Sequence, residues 1–239
     1  MIDFEHVSKE YKKGGKLALE DVNFHVDDGE FVFLLGHSGA GKSTVLNIVI
    51  GFNKPTSGQV LIDGHDINTI DLHSYRKFLA VVPQTSILFN GTIRENITYG
   101  MPSVTEEQLQ QAIEAANLTD LIASLPDGLN TVVGEHGGKL SGGQRQRISI
   151  ARAIIRDPRV IVFDEATSAL DSISEKQIQT AINNLTRDRT TFIVAHRLST
   201  IRDADKIAVL REGHCVEYGT FEELMQRKGE FYKMKVLQS

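Results

Sequence analysis

The sequence predicts an α/β fold with a mostly parallel sheet, an antiparallel β part near the amino end, and an inserted helical part. Three observations predict it. Phe31–Leu35, Val160–Phe163 and Phe192–Ala195 are short runs apolar on both faces, as strands covered by helices in a parallel sheet must be. The first run passes into Gly36, His37, Ser38, Gly39, Ala40, Gly41, Lys42 and Ser43, which read G-x-x-x-x-G-K-S. Between about residues 85 and 157 the pattern turns helical, whereas residues 2–7 and 19–26 alternate as antiparallel strands do.

The elements follow in order. Asp27, Asp28 and Gly29 form a turn into the strand over 31–35, and a helix follows the glycine loop to about Ile50. Residues 54–58 are a loop, Gln59–Ile62 a short strand closed by Asp63-Gly64, and Leu79–Val82 a strand stopped by Pro83 and Gln84. Thr105 and Gln108 form a capping box, with Leu109, Ala112, Ile113 and Ala116 at helical spacing behind it. A second helix begins near Gly142, with Ile148, Ala151 and Ile155 on one face, and Pro158 closes the region. A helix over about 174–185 separates the last two apolar runs. Neither an internal repeat nor a low-complexity segment is visible.

A chain of 239 residues holds one large domain or two small ones. A formal charge of −5 argues against a nucleic-acid partner. Cys215 is the single cysteine, which rules out an internal disulfide and is expected as a small buried strand residue in a reducing compartment. The first residues lack a signal-peptide pattern, and no apolar stretch approaches the ~20 residues that cross a bilayer. The expectation is a chain soluble by itself, with any membrane-spanning part supplied elsewhere.

Three strand ends carry polar chemistry, and in an open α/β sheet ligands bind beyond the carboxyl ends of strands. In the glycine loop successive N–H groups can curl around phosphate oxygens. Lys42 reaches the terminal phosphates, Ser43 offers a hydroxyl to Mg²⁺, and the following helix points its positive end at the anion. A plain strand-to-helix turn is the bland alternative. Asp164 and Glu165 follow four apolar residues. Asp164 suits a Mg²⁺ held through water, and Glu165 the polarisation of an attacking water. A helix start meeting its dipole with acids explains the pair equally well if it is read alone. His196 can donate to a γ-phosphate oxygen or be a structural hydrogen-bonder. Gln84 can reach Mg²⁺ or water, or belong to a plain loop. Tyr11 can stack on adenine, or be a lone surface tyrosine. Leu140, Ser141, Gly142, Gly143 and Gln144 form a second, serine-capped helix start with open N–H groups, about a hundred residues after the first.

These residues together resemble the nucleotide-binding domains of ABC transporters over nearly the whole chain. The loop Gly36–Thr44, Gln84, Leu140–Gln144, Val160–Glu165, Ser168–Asp171 and His196 stand in that family's order and spacing. The resemblance implies a P-loop NTPase (RecA-like) core over about 31–84 and 158–239. It adds an antiparallel β subdomain over about 1–30 and 56–66, and a helical subdomain over about 85–157. It implies an ATPase using ATP and Mg²⁺, with two chains head-to-tail around two ATP. Each ATP would lie on Gly36–Thr44 of one chain, with Thr44 closing the loop, and be covered by Ser141, Gly142, Gly143 and Gln144 of the other. Tyr11 takes the adenine-stacking place, and Asp171 falls in the segment that signals across the dimer.

Leu88–Ile97 looks like the exporter segment on which the membrane part docks, and Thr131–Gly137 like the exporter stretch before Leu140. The expected role is therefore to power an exporter from the cytoplasmic face of a membrane, as a homodimer or heterodimer with a transmembrane domain in cis or as a separate subunit. Because exporter cassettes are usually fused to that domain, the chain reads as a piece of a longer one. The front of the chain, from Val7–Tyr11 through Gly36–Ser38, looks closer to small stand-alone ABC ATPases, including the cell-division type. That leaves as alternatives a regulator of a membrane partner without transport, or an ABC ATPase acting on nucleic acid or the ribosome.

Overall fold

Alternation at the amino end is realised as β1 (Ile2–Glu10), paired antiparallel with β2 (Leu17–Val26). The register sets Phe4 opposite Phe24 and Ile2 opposite Val26, so one face is apolar and buried. The computed structural model describes residues 1–12, 14–164, 172–194, 201–202 and 204–237. Glu165, Ser168, Asp171 and His196 lie outside the described residues.

The chain continues through β3 (Phe31–Leu35), α1 (Lys42–Val49), β4 (Ser57–Ile62), β5 (His65–Asp66), α2 (Leu72–Tyr75) and β6 (Leu79–Val82). Helices α3 (Ile93–Ile97), α4 (Glu106–Ala115), α5 (Thr119–Ser124) and α6 (Gly142–Ile154) follow. Then come β7 (Val160–Asp164), α7 (Ser172–Thr186), β8 (Thr190–Val194), β9 (Lys206–Arg211), β10 (His214–Gly219), α8 (Phe221–Arg227) and α9 (Glu230–Leu237). Two units divide the chain. The first comprises 1–79, 159–164 and 188–239, and the second 80–158 and 165–187.

The first unit holds an antiparallel sheet in the order β2-β1-β4-β5 and a larger sheet whose strands run β10-β9-β3-β8-β7. Strands β9, β3, β8 and β7 are parallel neighbours, while β10 is antiparallel at the edge. Residues 32–35 and 160–163 and all of β8 are buried, as runs apolar on both faces require. One core joins the inner faces of both sheets to α1. Phe4, Phe24, Val32, Leu34, Val45, Ile48, Val162 and Phe192 all belong to it. Full burial of each such side chain is worth about 1.5–3 kcal/mol. Tyr218 of β10 stacks on Phe24, which in turn stacks on Phe4.

The second unit is mainly helical. Thr92, Thr105 and Ser141 each close a reciprocal capping box at the start of α3, α4 and α6. Leu109, Ala112 and Ile113 of α4, and Ile148 and Ala151 of α6, form the buried stripes that their spacing predicts.

Some boundaries differ from expectation. β4 and β8 each begin two residues early, at Ser57 and Thr190, because both positions still pair with a neighbouring strand. Cys215 is half-buried rather than buried. Its Sγ faces the Glu217 carbonyl at 3.5 Å, and burial pushes the thiol up to about 11. No helix among the described residues is long and apolar enough to cross a membrane.

His25, at the end of β2, lies between two carboxylates. Its Nδ1 meets Asp3 and its Nε2 meets Asp27 at 3.0 Å, and the Asp3 hydrogen bond above all raises its pKa. A raised histidine pKa contributes stability that is fully present below about 6.5 and lost as pH climbs through the folded-state value. Substituting His25→Asn is expected to destabilise the chain more at about pH 5.5 than at about pH 8.5, as read by urea unfolding at both. An equal loss at the two pH values would show that the imidazole charge does not matter.

Candidate functional site

Strand β3 delivers the chain to Gly36, where the loop turns back beneath its own carbonyls. Lys42 Nζ donates to the carbonyls of Gly36 at 2.6 Å and His37 at 3.0 Å, so the ammonium holds the loop from inside. The turn excludes side chains at two points. A Cβ at Gly36 would lie 2.3 Å from the Leu210 carbonyl, and one at Gly41 would lie 2.8 Å from that of Ala18. At Gly41 the backbone is also left-handed, with φ 107°.

Gly41 caps α1 without any side-chain hydrogen bond, and the helix carries no acid in its first turn. Its leading N–H groups and its positive end are therefore available to an anion. At the other end of α1 the carbonyls are satisfied. Tyr75 Oη donates to Val49 O at 2.8 Å, and Arg76 donates to Ile50 O at 3.3 Å and Gly51 O at 2.7 Å. A guanidinium there also suits the negative end of the helix.

Tyr11 comes to this loop although 33 residues separate it from Thr44. Its hydroxyl lies 3.3 Å from Thr44 Oγ1 and accepts from Asn53 at 3.0 Å, while the ring is 56% exposed. Lys9 Nζ stands 5.4 Å from the ring centroid. A planar base can lie on this ring beside the loop.

Asp164 ends β7 in register with Val194 of β8, which is itself in register with Leu34 of β3. Two strand spacings, about 10 Å, separate it from the end of β3 at the same edge of the sheet. That edge collects two of the three strand ends singled out in the sequence; the third, His196, lies outside the described residues along with Glu165. Gln84 is exposed in a bend after β6, in the second unit.

The second anion-facing helix start belongs to α6. Ser141 Oγ accepts from Gln144 N at 3.2 Å, and Gln144 Oε1 accepts from Ser141 N at 2.9 Å. The box satisfies those two donors and leaves the N–H groups of Gly142 and Gly143 for a ligand. Gly143 has a second duty that the sequence did not reveal. A Cβ there would lie 3.0 Å from that of Ser174, so the missing side chain lets α6 and α7 approach.

Residues before Ser141 tie this helix to the segment over 88–97. Gly91 O accepts from Val133 N, and Thr131 O from Ile93 N, both at 3.0 Å, around a bridge between Thr92 and Val132. The chain then folds back through Lys139 N to Val133 O and Leu140 N to Gly137 O. The two stretches that looked exporter-like in sequence are thus one paired structure.

A model of the family described as ABC transporter matches residues 19–168. The chain belongs to the ABC transporter family. Its fold is the P-loop ATPase domain of that family, and it is similar over its full length to a solved bacterial Atm1-family ABC exporter with ATP bound, at 41% identity and a TM-score of 0.92. A Staphylococcus aureus protein provisionally named as a multidrug export ATP-binding/permease protein is 48% identical over 238 residues. An ATP-dependent lipid A-core flippase of Ralstonia nicotianae is 48% identical over 229 residues, 95% of this chain. The chain spans 41% of the first, 39% of the second and 41% of the solved exporter chain.

The ABC domain also has a cavity of about 470 Å³ beside the loop. Residues 37–40, Lys16, Arg211 and Glu230 line it, with Arg211 and Glu230 paired at 3.3 Å. These last three residues carry no sequence signal, since only the fold brings them to the loop. Because Gly143 packs against Ser174, Gly143→Ala is expected to cost about 1–3 kcal/mol through overpacking, read as a lower midpoint in denaturant unfolding. An unchanged midpoint would mean that the two helices have slack.

Proposed function

We propose that this chain binds ATP on Gly36–Thr44, hydrolyses it as a head-to-tail pair of copies, and powers export through a membrane domain. One observation carries the reading: a carbonyl-anchored Lys42 sits in a glycine cradle that opens at an uncapped helix start. The glycines keep the path of that cradle, because a Cβ at Gly36 or Gly41 would displace the loop, and we assign a triphosphate to it. The 48% identity to named export proteins and the 41% identity to an ATP-bound exporter support the exporter type.

In this reading Tyr11 stacks on adenine, and the loop residues Gly36, His37, Ser38, Gly39, Ala40, Gly41, Lys42, Ser43 and Thr44 surround the phosphates. Ser43, Gln84 and Asp164 would hold Mg²⁺, which when bound neutralises phosphate charge. Glu165 orients and polarises the attacking water, with His196 donating to the γ-phosphate. Ser141, Gly142, Gly143 and Gln144 of the second copy close over the same γ-phosphate from the opposite side. Losing that phosphate removes contacts to both copies at once, so hydrolysis reopens the pair. The helical part relays the motion to a membrane domain, and the cassette works at the cytoplasmic face.

Glu165→Gln is expected to lower ATP turnover by about 10²–10⁴-fold while ATP binding persists and an ATP-bound dimer accumulates, read by phosphate release and light scattering. Normal turnover would remove Glu165 from this role. Lys42→Ala is expected to weaken nucleotide binding by about 10–100-fold, as a charge-assisted contact is lost, measured by titration calorimetry. Tyr11→Phe should retain affinity where Tyr11→Ala loses it. Equal affinities for all three side chains would place the base elsewhere.

A further inference from the structure

Helix α6 carries a half-buried guanidinium, that of Arg152, that the nucleotide chemistry does not use. Arg152 lies about 15 Å along the helix from Gly142, at ~1.5 Å per residue. Its Nε donates to Asn96 O at 2.7 Å, Nη2 to Asn96 Oδ1 at 3.1 Å, and Nη1 to Ile87 O at 3.4 Å. Asn96 is fully buried. It donates to Phe89 O at 3.1 Å and Thr92 O at 3.0 Å, and accepts from Phe89 N at 3.1 Å. The guanidinium also stands 5.8 Å from the centroid of the Phe89 ring.

Arg152 and Asn96 therefore serve the carbonyls of Ile87 and Phe89 and the N–H of Phe89, in the irregular stretch ahead of α3, and the carbonyl of Asn96 near the end of that helix. The stretch ahead of α3 has no helix ladder of its own, and each buried carbonyl needs a donor. At the surface, Ile87 of this segment and Tyr99 just beyond it are 64% and 61% exposed, with the Tyr99 ring 4.8 Å from that of Phe89. Contacts run without a gap from exposed Tyr99 through Phe89 to Arg152.

The segment is also held at the other end of α6. Gly91 and Ile93 pair with Val133 and Thr131, and the backbone folds from there directly into Ser141. Two attachments make a difference that one does not. A segment tied only near Ser141 could pivot about that end of the helix. Tied at Arg152 as well, it moves with the helix as one piece.

We propose that Arg152 is a positioning residue that locks the 87–97 segment to α6, so that displacement of this surface reaches the Ser141 end as a rigid shift. The proposal rests on the ATPase reading only for what the shift does, which is to set how Ser141 meets the phosphate of the other copy.

The test compares the full chain with Arg152→Gln, Arg152→Lys, Asn96→Asp and Asn96→Leu, by hydrogen exchange resolved to peptides and by ATP turnover. Arg152→Gln is expected to raise exchange about tenfold in two separate stretches, 87–97 and 142–145, since charge-assisted hydrogen bonds are lost. It is expected to lower kcat about tenfold with nucleotide affinity unchanged. Asn96→Leu should behave like it. Arg152→Lys, which keeps a cation, should lie nearer the parent and serve if the glutamine variant does not fold, whereas Asn96→Asp keeps the acceptor of Arg152 but loses the donors to the Phe89 and Thr92 carbonyls and should fall between.

Faster exchange confined to 87–97 and residues near 152, with 142–145 and kcat at parent values, would overturn the proposal and leave Arg152 a local prop. If the parent chain hydrolyses no ATP, the ATPase reading fails, and exchange at 142–145 still decides the lock.

Discussion

Two backbone surfaces press on the glycine loop from outside, and everything at the site follows from the room they leave. The Leu210 carbonyl of β9 fills the place of a Cβ at Gly36, and the Ala18 carbonyl and Leu19 side chain of β2 fill that at Gly41. One contact comes from the parallel sheet and the other from the antiparallel sheet. The first unit therefore needs both sheets to shape a loop that belongs to neither. Gly213, between β9 and β10, completes the frame by donating to Ala40 O and accepting from Glu20 N. Held from outside by carbonyls and from inside by Lys42, the loop has little conformational freedom left to lose when an anion arrives.

The two anion-facing helix starts solve opposite problems. Helix α1 begins at a glycine with no side chain to satisfy its N–H groups, and it depends on its surroundings to remain helical: Val45, Leu46, Ile48 and Val49 are buried, and Tyr75 and Arg76 hold its far end. Helix α6 begins with a complete capping box, and a Ser or Thr cap is worth about 1 kcal/mol. It is stable without a ligand and keeps only Gly142 and Gly143 uncommitted. The difference suits the proposed roles, in which the loop holds the phosphate and the cap meets it on assembly.

Much of this was legible in residues. The P-loop was readable because its chemistry is contiguous: strand, glycines, Lys42 and helix are adjacent in sequence. The parallel core was readable because strands buried on both faces must be apolar throughout. The capping box at Thr105 follows from spacing alone; those at Ser141 with Gln144, Thr92 with Glu95, and Thr220 with Glu223 have the same signature and were open to the same reading. What could not be read was made by contacts across the sequence. Tyr11 reaches Thr44 only once β1 is in place, and Arg211 and Glu230 meet the loop only through β9 and α9. Gly143 looked like an open helix start and is also a packing site, because its neighbour Ser174 lies 31 positions away.

Charge placement divides along the same line between local and distant. The ion pairs on the surface, such as Arg94 with Glu106 at 2.6 Å, are exposed on at least one side, so water and salt screen them and they add little to stability. Arg147 and Arg152 are different: both guanidiniums are drawn into the helical unit, burial lowers their pKa, and they donate to the carbonyls of Asn117, Asn96 and Ile87. Burying a cation without a counter-ion is costly unless its hydrogen bonds are well met. An apolar residue would pack a helix face at less cost. What the guanidinium adds is direction: a planar fork fixes which carbonyls it meets and at what angle. In α6, therefore, buried charge defines where the helix sits against its neighbours, while the apolar stripe of Ile148, Ala151 and the residues around them keeps it folded.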